Sequence, residues 1–315
     1  MGTRKLITLV LAAVLLVSCF SIVGASAQSE KKYVIGISQP FMGHPIRKAG
    51  TILIDAWAAE HPDCEIIVTD GQLNATKQIA DIEDLIAQRV DVILVAAHQA
   101  PTLVGVLQQA VEAGIPVIAF DRVLADKSVQ TSEVLNDDLE AGKFAAELLV
   151  EGMGETGRII ILEGPAGSLA VEQREQGFVD EIAKHSGITI VDDQVANFQR
   201  VQAVDLFENI LQANPDITGV YCHNDEMALG VAKVLKDAGV TGVTVVGIDG
   251  QKDALEAIIA GEMYGTVRKV VEFPSALDVA YEYLTTGTCT PSMMLDGVKV
   301  NSQNVNDVYD PNAVF

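Results

Sequence analysis

The chain has 315 residues and a formal net charge of −22 at pH 7; 49% of its residues are hydrophobic and 20% are charged. This composition is typical of a globular protein rather than a disordered chain, and the length favours two domains that each bury a core. The acidic excess argues against nucleic acid or anionic lipid as a partner, because both require clustered lysine and arginine.

Residues 1–27 differ from the rest of the chain. A basic pair, Arg4 and Lys5, precedes an apolar run, and a small-residue cleavage site ends at Ala27, which together form the pattern of a secretory signal peptide. We therefore predict an exported protein, in the periplasm or otherwise outside the cytoplasm. A second interpretation stays open, because the residues ending at Cys19 resemble a lipobox, and lipidation of this cysteine would anchor the protein to a membrane.

Short apolar runs then alternate with amphipathic stretches, as strands and helices do in turn. The predicted strands are 34–37, 66–68, 92–96, 115–120, 159–162, 188–191, 217–222, 243–248 and 263–267. The predicted helices lie at 46–57, 79–86, 103–110, 139–151, 170–185, 201–213, 225–238 and 252–260. This alternation predicts an α/β fold of doubly wound, Rossmann-like layers with parallel strands. Roughly ten strands are too many for one open sheet, so we expect two lobes with about five or six strands each.

Polar side chains follow most of the predicted strands. In an open α/β sheet the ligand lies beyond the carboxyl ends of the strands, so these side chains are candidate binding residues. They are His44 and Arg47 after the first strand, Asp121 and Arg122 after the fourth, Arg174 on the helix after the fifth, Asn224 after the seventh and Asp249 after the eighth. Such groups make charge-assisted hydrogen bonds to a polyhydroxylated solute. Phe41 and Phe198 could cover the apolar face of a sugar.

Some assignments stay open at this point. Asn224 could be the N-cap of the helix that follows it while Asp225 contacts a ligand, or the two residues could exchange these roles. Cys64, Cys222 and Cys289 allow one disulfide but do not require one. The histidines and cysteines lack metal-ligand spacing, so we predict no metal and no cofactor.

Several segments occur in an order that resembles a known family. They are Phe120-Asp121-Arg122, Leu162–Ser168, Arg174 with Gly177-Phe178, Asn197-Phe198, Asn224–Gly230 and Val246–Gly250. The chain resembles the type I periplasmic sugar-binding proteins, specifically the ribose-binding protein group and its galactofuranose-binding relatives. In that family the residues that contact the ligand match Asp121, Arg122, Arg174, Phe198, Asn224 and Asp249 of this chain.

The resemblance implies two lobes joined by a three-segment hinge, which close around one sugar and hand it to an ABC permease. It implies crossings between the lobes near Asn136, Lys269 and Val300, the first of which falls in a polar stretch without periodicity. The resulting division is a signal peptide at 1–27, an N-terminal lobe at 28–135 plus 270–300 and a C-terminal lobe at 136–269 plus 301–315. A monomer without catalytic activity is expected, and its sugar-loaded form could also be presented to a chemoreceptor.

The chain departs from the ribose-binding pattern at two places. Where that group has Asn-Pro-Phe-Phe, this sequence has His44-Pro45-Ile46-Arg47; the galactofuranose-binding relatives also have an arginine at the position of Arg47. Lys269 stands about where the ribose binder has a glutamine. Two additional cations leave a furanose, a polyol or a sugar acid open as the ligand.

Two other classes of function compete with a binding protein. The lactose-repressor group of transcriptional regulators shares the two-lobed module, but its DNA-binding segment would stand where the signal peptide is predicted. An exported sugar-processing enzyme is the second alternative. The sequence contains no G-x-G-x-x-G after the first strand, no Walker A run and no G-x-S-x-G, so we predict that the protein is not an enzyme.

Overall fold

The computed structural model describes residues 33–313 and residue 315. The predicted signal peptide and Cys19 lie outside the described residues. The strands are β1 (Tyr33–Gln39), β2 (Cys64–Asp70), β3 (Val92–Val95), β4 (Val117–Phe120), β5 (Ser132–Asn136), β6 (Thr156–Glu163), β7 (Gly187–Val195), β8 (Gly219–Cys222), β9 (Thr244–Asp249), β10 (Gly265–Arg268), β11 (Ser292–Leu295) and β12 (Val298–Asn301). In the part of the chain that the structure covers, no helix combines the length and apolar character needed to cross a bilayer.

Helices connect most of these strands. They are α1 (Pro45–Glu60), α2 (Ala75–Ala87), α3 (Ala100–Glu112), α4 (Asp138–Met153), α5 (Leu169–Ile182), α6 (Arg200–Ala213), α7 (Asp225–Ala238), α8 (Lys252–Ile259), α9 (Phe273–Thr286) and α10 (Val305–Val308). A single 3-10 turn, Lys127–Val129, precedes β5. The three cysteines in this part of the chain are free.

The strands form two six-stranded sheets, one in each lobe. The strand order is β11-β5-β4-β3-β1-β2 in the first lobe and β12-β10-β9-β8-β6-β7 in the second. Neighbouring strands run parallel except β10 and β12, which are antiparallel. Successive residues of β3 enter two different cores, Leu94 on one face of the sheet and Ile93 on the other, as expected for a parallel sheet covered by helices on both faces. The predicted fold class is confirmed.

The stretch predicted to be aperiodic contains a buried strand, β5, and the sequence analysis missed it because three of its five side chains are polar: Ser132, Glu133 and Asn136. Each of these side chains has a partner on another segment. The hydroxyl of Ser132 donates to the carbonyl of Thr290 at 2.5 Å, and Glu133 accepts from Ser292 at 3.0 Å. Burial of polar groups in a strand is tolerated where hydrogen bonds of this kind satisfy them.

The chain passes between the two sheets three times. It crosses after β5, then between β10 and α9, and then at Asp296-Gly297 between β11 and β12. The third crossing was predicted near Val300, which is wrong: Val300 pairs with Thr266 in the second sheet. The physical reason is that the short strands β11 and β12 follow each other directly, so the change of sheet takes only two residues.

Two glycines allow α4 and α5 to approach closely beside the gap between the lobes. A Cβ atom on Gly142 would lie 2.1 Å from the carbonyl oxygen of Arg174, and one on Gly177 would lie 2.0 Å from that of Leu139. Because backbone atoms cannot yield as a flexible side chain can, a larger residue would force the helices apart. The backbone of Arg174 is therefore positioned by this helix pair.

Gly142→Ala is expected to lower the free energy of unfolding by about 1–3 kcal/mol, because it overpacks the contact between α4 and α5. Gly105→Ala is the matched control. It lies within α3 with no atom within 4 Å of the added methyl group, so it should raise stability by about 0.5–1 kcal/mol. Urea denaturation of both variants measures the difference, and equal shifts would contradict the role assigned to Gly142.

Candidate functional site

A cavity of about 260 Å³ lies between the two lobes. This volume is close to the lower limit of small-molecule sites, roughly 300–1,000 Å³, so the cavity suits a small solute. The ten candidate residues named from the sequence all line it: Phe41, His44, Arg47, Asp121, Arg122, Arg174, Phe198, Asn224, Asp249 and Lys269. Its lining also includes residues that sequence reasoning did not select: Pro40, Ile46, Leu73, His98, Pro165, Ala170, Asn197 and Gln199.

Asp121 is the centre of the wall that the first lobe provides. It follows β4, is 7% exposed and accepts from the Arg47 guanidinium through its Oδ2 atom. The Nε atom of Arg122 lies 3.4 Å from the same oxygen, and Nζ of Lys269 lies 3.8 Å from Oδ1. Gln39, which the sequence analysis did not single out, orients Arg47 by accepting from its Nη1 atom at 3.0 Å. The carboxylate thus holds three cations at the cavity.

Arg174 has the same central role in the second lobe. Its Nε atom donates to Asp138 at 2.8 Å, its Nη2 atom lies 3.8 Å from Asp249, and its Nη1 atom donates to the carbonyl of His223. The guanidinium carbon lies 5.7 Å from the ring centroid of Phe198, a cation–π distance. These partners hold the guanidinium in one orientation, and they leave some of its five N–H donors free for a ligand.

Lys269 connects these two centres at the hinge. Its Nζ atom lies 3.6 Å from Asp138 and 3.8 Å from Glu272. Next to it, the side-chain amide of Asn136 donates to the carbonyl of Val270 at 3.0 Å and accepts from its N–H at 3.1 Å, so two crossing segments are joined directly. Sequence reasoning missed Asp138 because it missed β5, the strand that ends two residues before it. It missed Glu272 because this residue lies in a crossing segment, four residues after the end of β10.

The start of α7 resolves how Asn224 and Asp225 divide their contacts. Asn224 is the N-cap, and its Oδ1 atom accepts from the N–H of Met227 at 3.0 Å. Asp225 turns away from the cavity and accepts from the N–H groups of Gly250 and Gln251 at 2.7 and 2.9 Å. Asp225 therefore fixes the loop that directly follows Asp249, the last residue of β9, and Asp225 is not among the lining residues.

The carboxylates at the cavity differ in their pKa values. Burial alone would raise the pKa of Asp121, but Arg47, Lys269 and Arg122 outweigh it and hold that pKa well below its usual value. Burial raises the pKa of Asp249 to about 6 despite Arg174 and Lys269. Burial, together with the charge of Asp121, raises the pKa of Glu272 to about 7. Asp121 is consequently the most firmly ionised of the three carboxylates.

Five lining residues have backbone angles that side chains rarely adopt. The φ angles are +55° at Leu73 and Asn197, +62° at Asp121, +60° at Phe198 and +131° at Asp249. Each such residue costs on the order of 1–3 kcal/mol and persists only where the surrounding structure enforces it. Strain of this kind is common at binding sites, and here all five residues line one cavity.

Two α/β lobes, joined at a hinge and enclosing a polar cavity, define a solute-binding protein that closes around its ligand. Residues 35–285 match the family model of the periplasmic binding protein domain. The chain is 32% identical to the ribose import binding protein of Bacillus subtilis over 79% of this chain and 80% of that protein. The chain therefore belongs to the periplasmic binding protein family; it is a type I sugar-binding member, the solute-binding component of an ABC transporter.

Two solved structures extend this comparison. A solute-binding protein from Bacillus halodurans with bound myo-inositol aligns with a TM-score of 0.84 at 29% identity, over 89% of this chain and 98% of that one. A galactofuranose binding protein aligns with a TM-score of 0.85 at 26% identity, over 90% of this chain and 100% of that one. The similarity spans both lobes.

Proposed function

We propose that the cavity binds one neutral monosaccharide or cyclic polyol, and that the protein delivers it unaltered to the permease of its ABC transporter. The observation that carries this proposal is the pairing of Asp121 with Arg122 on one lobe and of Arg174 with Asp249 on the other, around a single small cavity. Carboxylates and guanidiniums presented from two sides suit a solute that carries hydroxyls around a ring. Relatives named for ribose, myo-inositol and galactofuranose support this class of ligand.

The balance of charge favours a neutral ligand over a sugar acid. Four cations meet at the cavity, and four carboxylates lie against them: Arg47, Arg122, Arg174 and Lys269 face Asp121, Asp138, Asp249 and Glu272. The two cations that depart from the ribose-binding pattern, Arg47 and Lys269, are both within ion-pair distance of Asp121. Even though Glu272, with a pKa of about 7, is only partly ionised at neutral pH, the four cations exceed the carboxylates by less than one charge, which is little to offset the desolvation of an acidic ligand.

Within this proposal the side chains have distinct roles. Asp121 and Asp249 accept from sugar hydroxyls, while Arg122 and Arg174 donate to hydroxyl or ring oxygens. Phe41 and Phe198 pack against the apolar face of the ring. Binding without chemistry fits the first lobe in particular, because Asp121 is kept ionised by its cationic partners and is not poised to transfer a proton.

The remaining parts of the proposal concern location and partners. The family places the protein in the periplasm, and we propose export through the segment at 1–27, with lipidation at Cys19 as the alternative. We propose a monomer, because the cavity is enclosed by the two lobes of one chain. A chemoreceptor that recognises the closed form would use the same sugar-loaded state as the permease.

A thermal-shift panel tests the ligand class. D-Ribose, D-galactose, myo-inositol, xylitol and D-glucuronate are each added to the purified protein. A neutral member at about 100 times its Kd should add about 2.7 kcal/mol of stability, and D-glucuronate should add none. NMR of the recovered solute should show it unchanged. Stabilisation by D-glucuronate alone, or conversion of a sugar, would overturn the proposal.

A further inference from the structure

One hydrogen bond links the two lobes directly across the cavity. His44 is the N-cap residue of α1 in the first lobe, and Asn224 is the N-cap residue of α7 in the second. The Nδ2 atom of Asn224 lies 3.0 Å from the Nε2 atom of His44. Which of these two atoms donates is determined by the other contacts of Asn224.

The amide of Asn224 can have only one orientation. Its Oδ1 atom accepts from the N–H of Met227 at 3.0 Å, a position that an NH₂ group could not occupy because two donors would face each other. The NH₂ group therefore points to His44, and it also lies 3.4 Å from the carbonyl oxygen of Phe198. The capping of α7 thus decides which end of the amide meets the imidazole.

The orientation of the amide in turn decides the tautomer of His44. Since Asn224 donates, Nε2 of a neutral imidazole must be the acceptor, and the proton must be on Nδ1. This Nδ1 atom is buried and has no hydrogen-bond partner among the described residues, although His44 lines the cavity. A buried N–H without an acceptor is costly, so the Nδ1–H group of His44 requires an acceptor oxygen.

The charges around His44 keep the ring neutral. Burial, Arg47 and Arg122 lower the pKa of His44, while Glu226 and Asp121 oppose them, and the result is about 4. At neutral pH the imidazole therefore has one donor and one acceptor, as the contact with Asn224 requires.

We propose that closure of the lobes fixes the tautomer of His44, with Asn224 holding Nε2 as an acceptor so that Nδ1–H is presented to an acceptor oxygen of the bound solute. This inference rests on the proposed function. It makes His44 a specificity-determining residue whose donor is set by the opposite lobe. In the open form the two N-caps separate, and the ring is free to exchange tautomers.

The tautomer is measured directly by long-range ¹H–¹⁵N NMR, using protein saturated with the panel solute that binds tightest. We expect the Nδ1–H form in the wild type. Asn224→Asp keeps the N-cap but faces Nε2 with an oxygen, so we expect a proton on Nε2 and an affinity lowered about tenfold or more. The Nε2–H form in the loaded wild type, or an unchanged tautomer and affinity in Asn224→Asp, would overturn the inference.

A second pair of variants keeps the capping residue intact. Asparagine at position 44 places its amide nitrogen near the position of Nδ1, whereas glutamine places its amide near Nε2. His44→Asn should therefore bind the solute more tightly than His44→Gln, and the reverse order would refute the donor role. If no panel solute binds the wild type, the proposed function itself fails; binding with the wrong tautomer refutes only the role of His44.

Discussion

Replacing Asp121 with asparagine is expected to lower the free energy of unfolding by about 3–5 kcal/mol at pH 7. The change is nearly isosteric, but it removes the charge that three cations share: Arg47, Arg122 and Lys269. Each would be left in a buried site with less compensation, which is the costly way to break a buried ion pair. Sugar affinity should fall about 10- to 100-fold, because a buried acceptor is lost. Urea denaturation and calorimetric titration measure the two effects.

The dependence on pH gives this prediction a second test. The pKa of Asp121 lies below its ordinary value of 3.8, so its contribution to stability is fully present above that pH and is lost as the pH falls further. The deficit of Asp121→Asn should therefore persist from pH 7 to about pH 4 and shrink below it. Asp55→Asn is the matched control, since Asp55 is exposed on α1 and the change should cost less than about 0.5 kcal/mol. Similar costs for both variants would refute the central role of Asp121.

Arg174→Met is expected to have a comparable effect in the second lobe, about 3–5 kcal/mol. Methionine fills much of the space, but Asp138 and Asp249 lose their shared cation and the carbonyl of His223 loses a donor. Without the guanidinium, the raised pKa of Asp249 should rise further. A raised carboxyl pKa stabilises the fold at acidic pH and ceases to do so as the pH rises. The deficit should accordingly be smaller at pH 5 than at pH 7.5.

Arg158→Met provides the control for this variant. Arg158 stands on β6 in the same lobe, and its side chain is 44% exposed beside Asp216. Exposed ion pairs contribute about 0–1 kcal/mol, so the urea midpoint should barely move and sugar binding should be retained. An Arg174→Met protein that binds the panel solutes as the wild type does would contradict the assignment of Arg174 to the cavity.

The fold could be predicted where apolar periodicity is strong and could not where burial is polar. β3 and β4 were evident as continuous apolar runs. β5 was missed because the burial of Ser132 and Glu133 depends on hydrogen bonds to Thr290 and Ser292, which lie far along the chain. Local sequence cannot indicate such partners. β11 and β12 were missed for a related reason, since each completes the edge of a sheet formed mostly by distant segments.

The candidate site was predictable to the extent that strand ends define it. The lining residues named from strand ends and family segments do surround one cavity. Their supporting partners were not foreseen, because Asp138 and Glu272 belong to the hinge and meet the cavity only through Arg174 and Lys269. The contact between His44 and Asn224 could not be predicted from the sequence either, because it joins residues on different lobes.

The placement of α9 and β11 has a consequence for how the protein matures. Both belong to the first lobe, yet they are encoded after nearly all of the second. In the folded protein the ring centroids of Phe120 and Phe273 lie 5.2 Å apart. Until Phe273 has been translated, the ring of Phe120 therefore lacks this packing partner. Neither six-stranded sheet is complete until β11 and β12 have been translated. This order of segments is compatible with the proposed export, because both lobes lack a strand until synthesis is nearly finished.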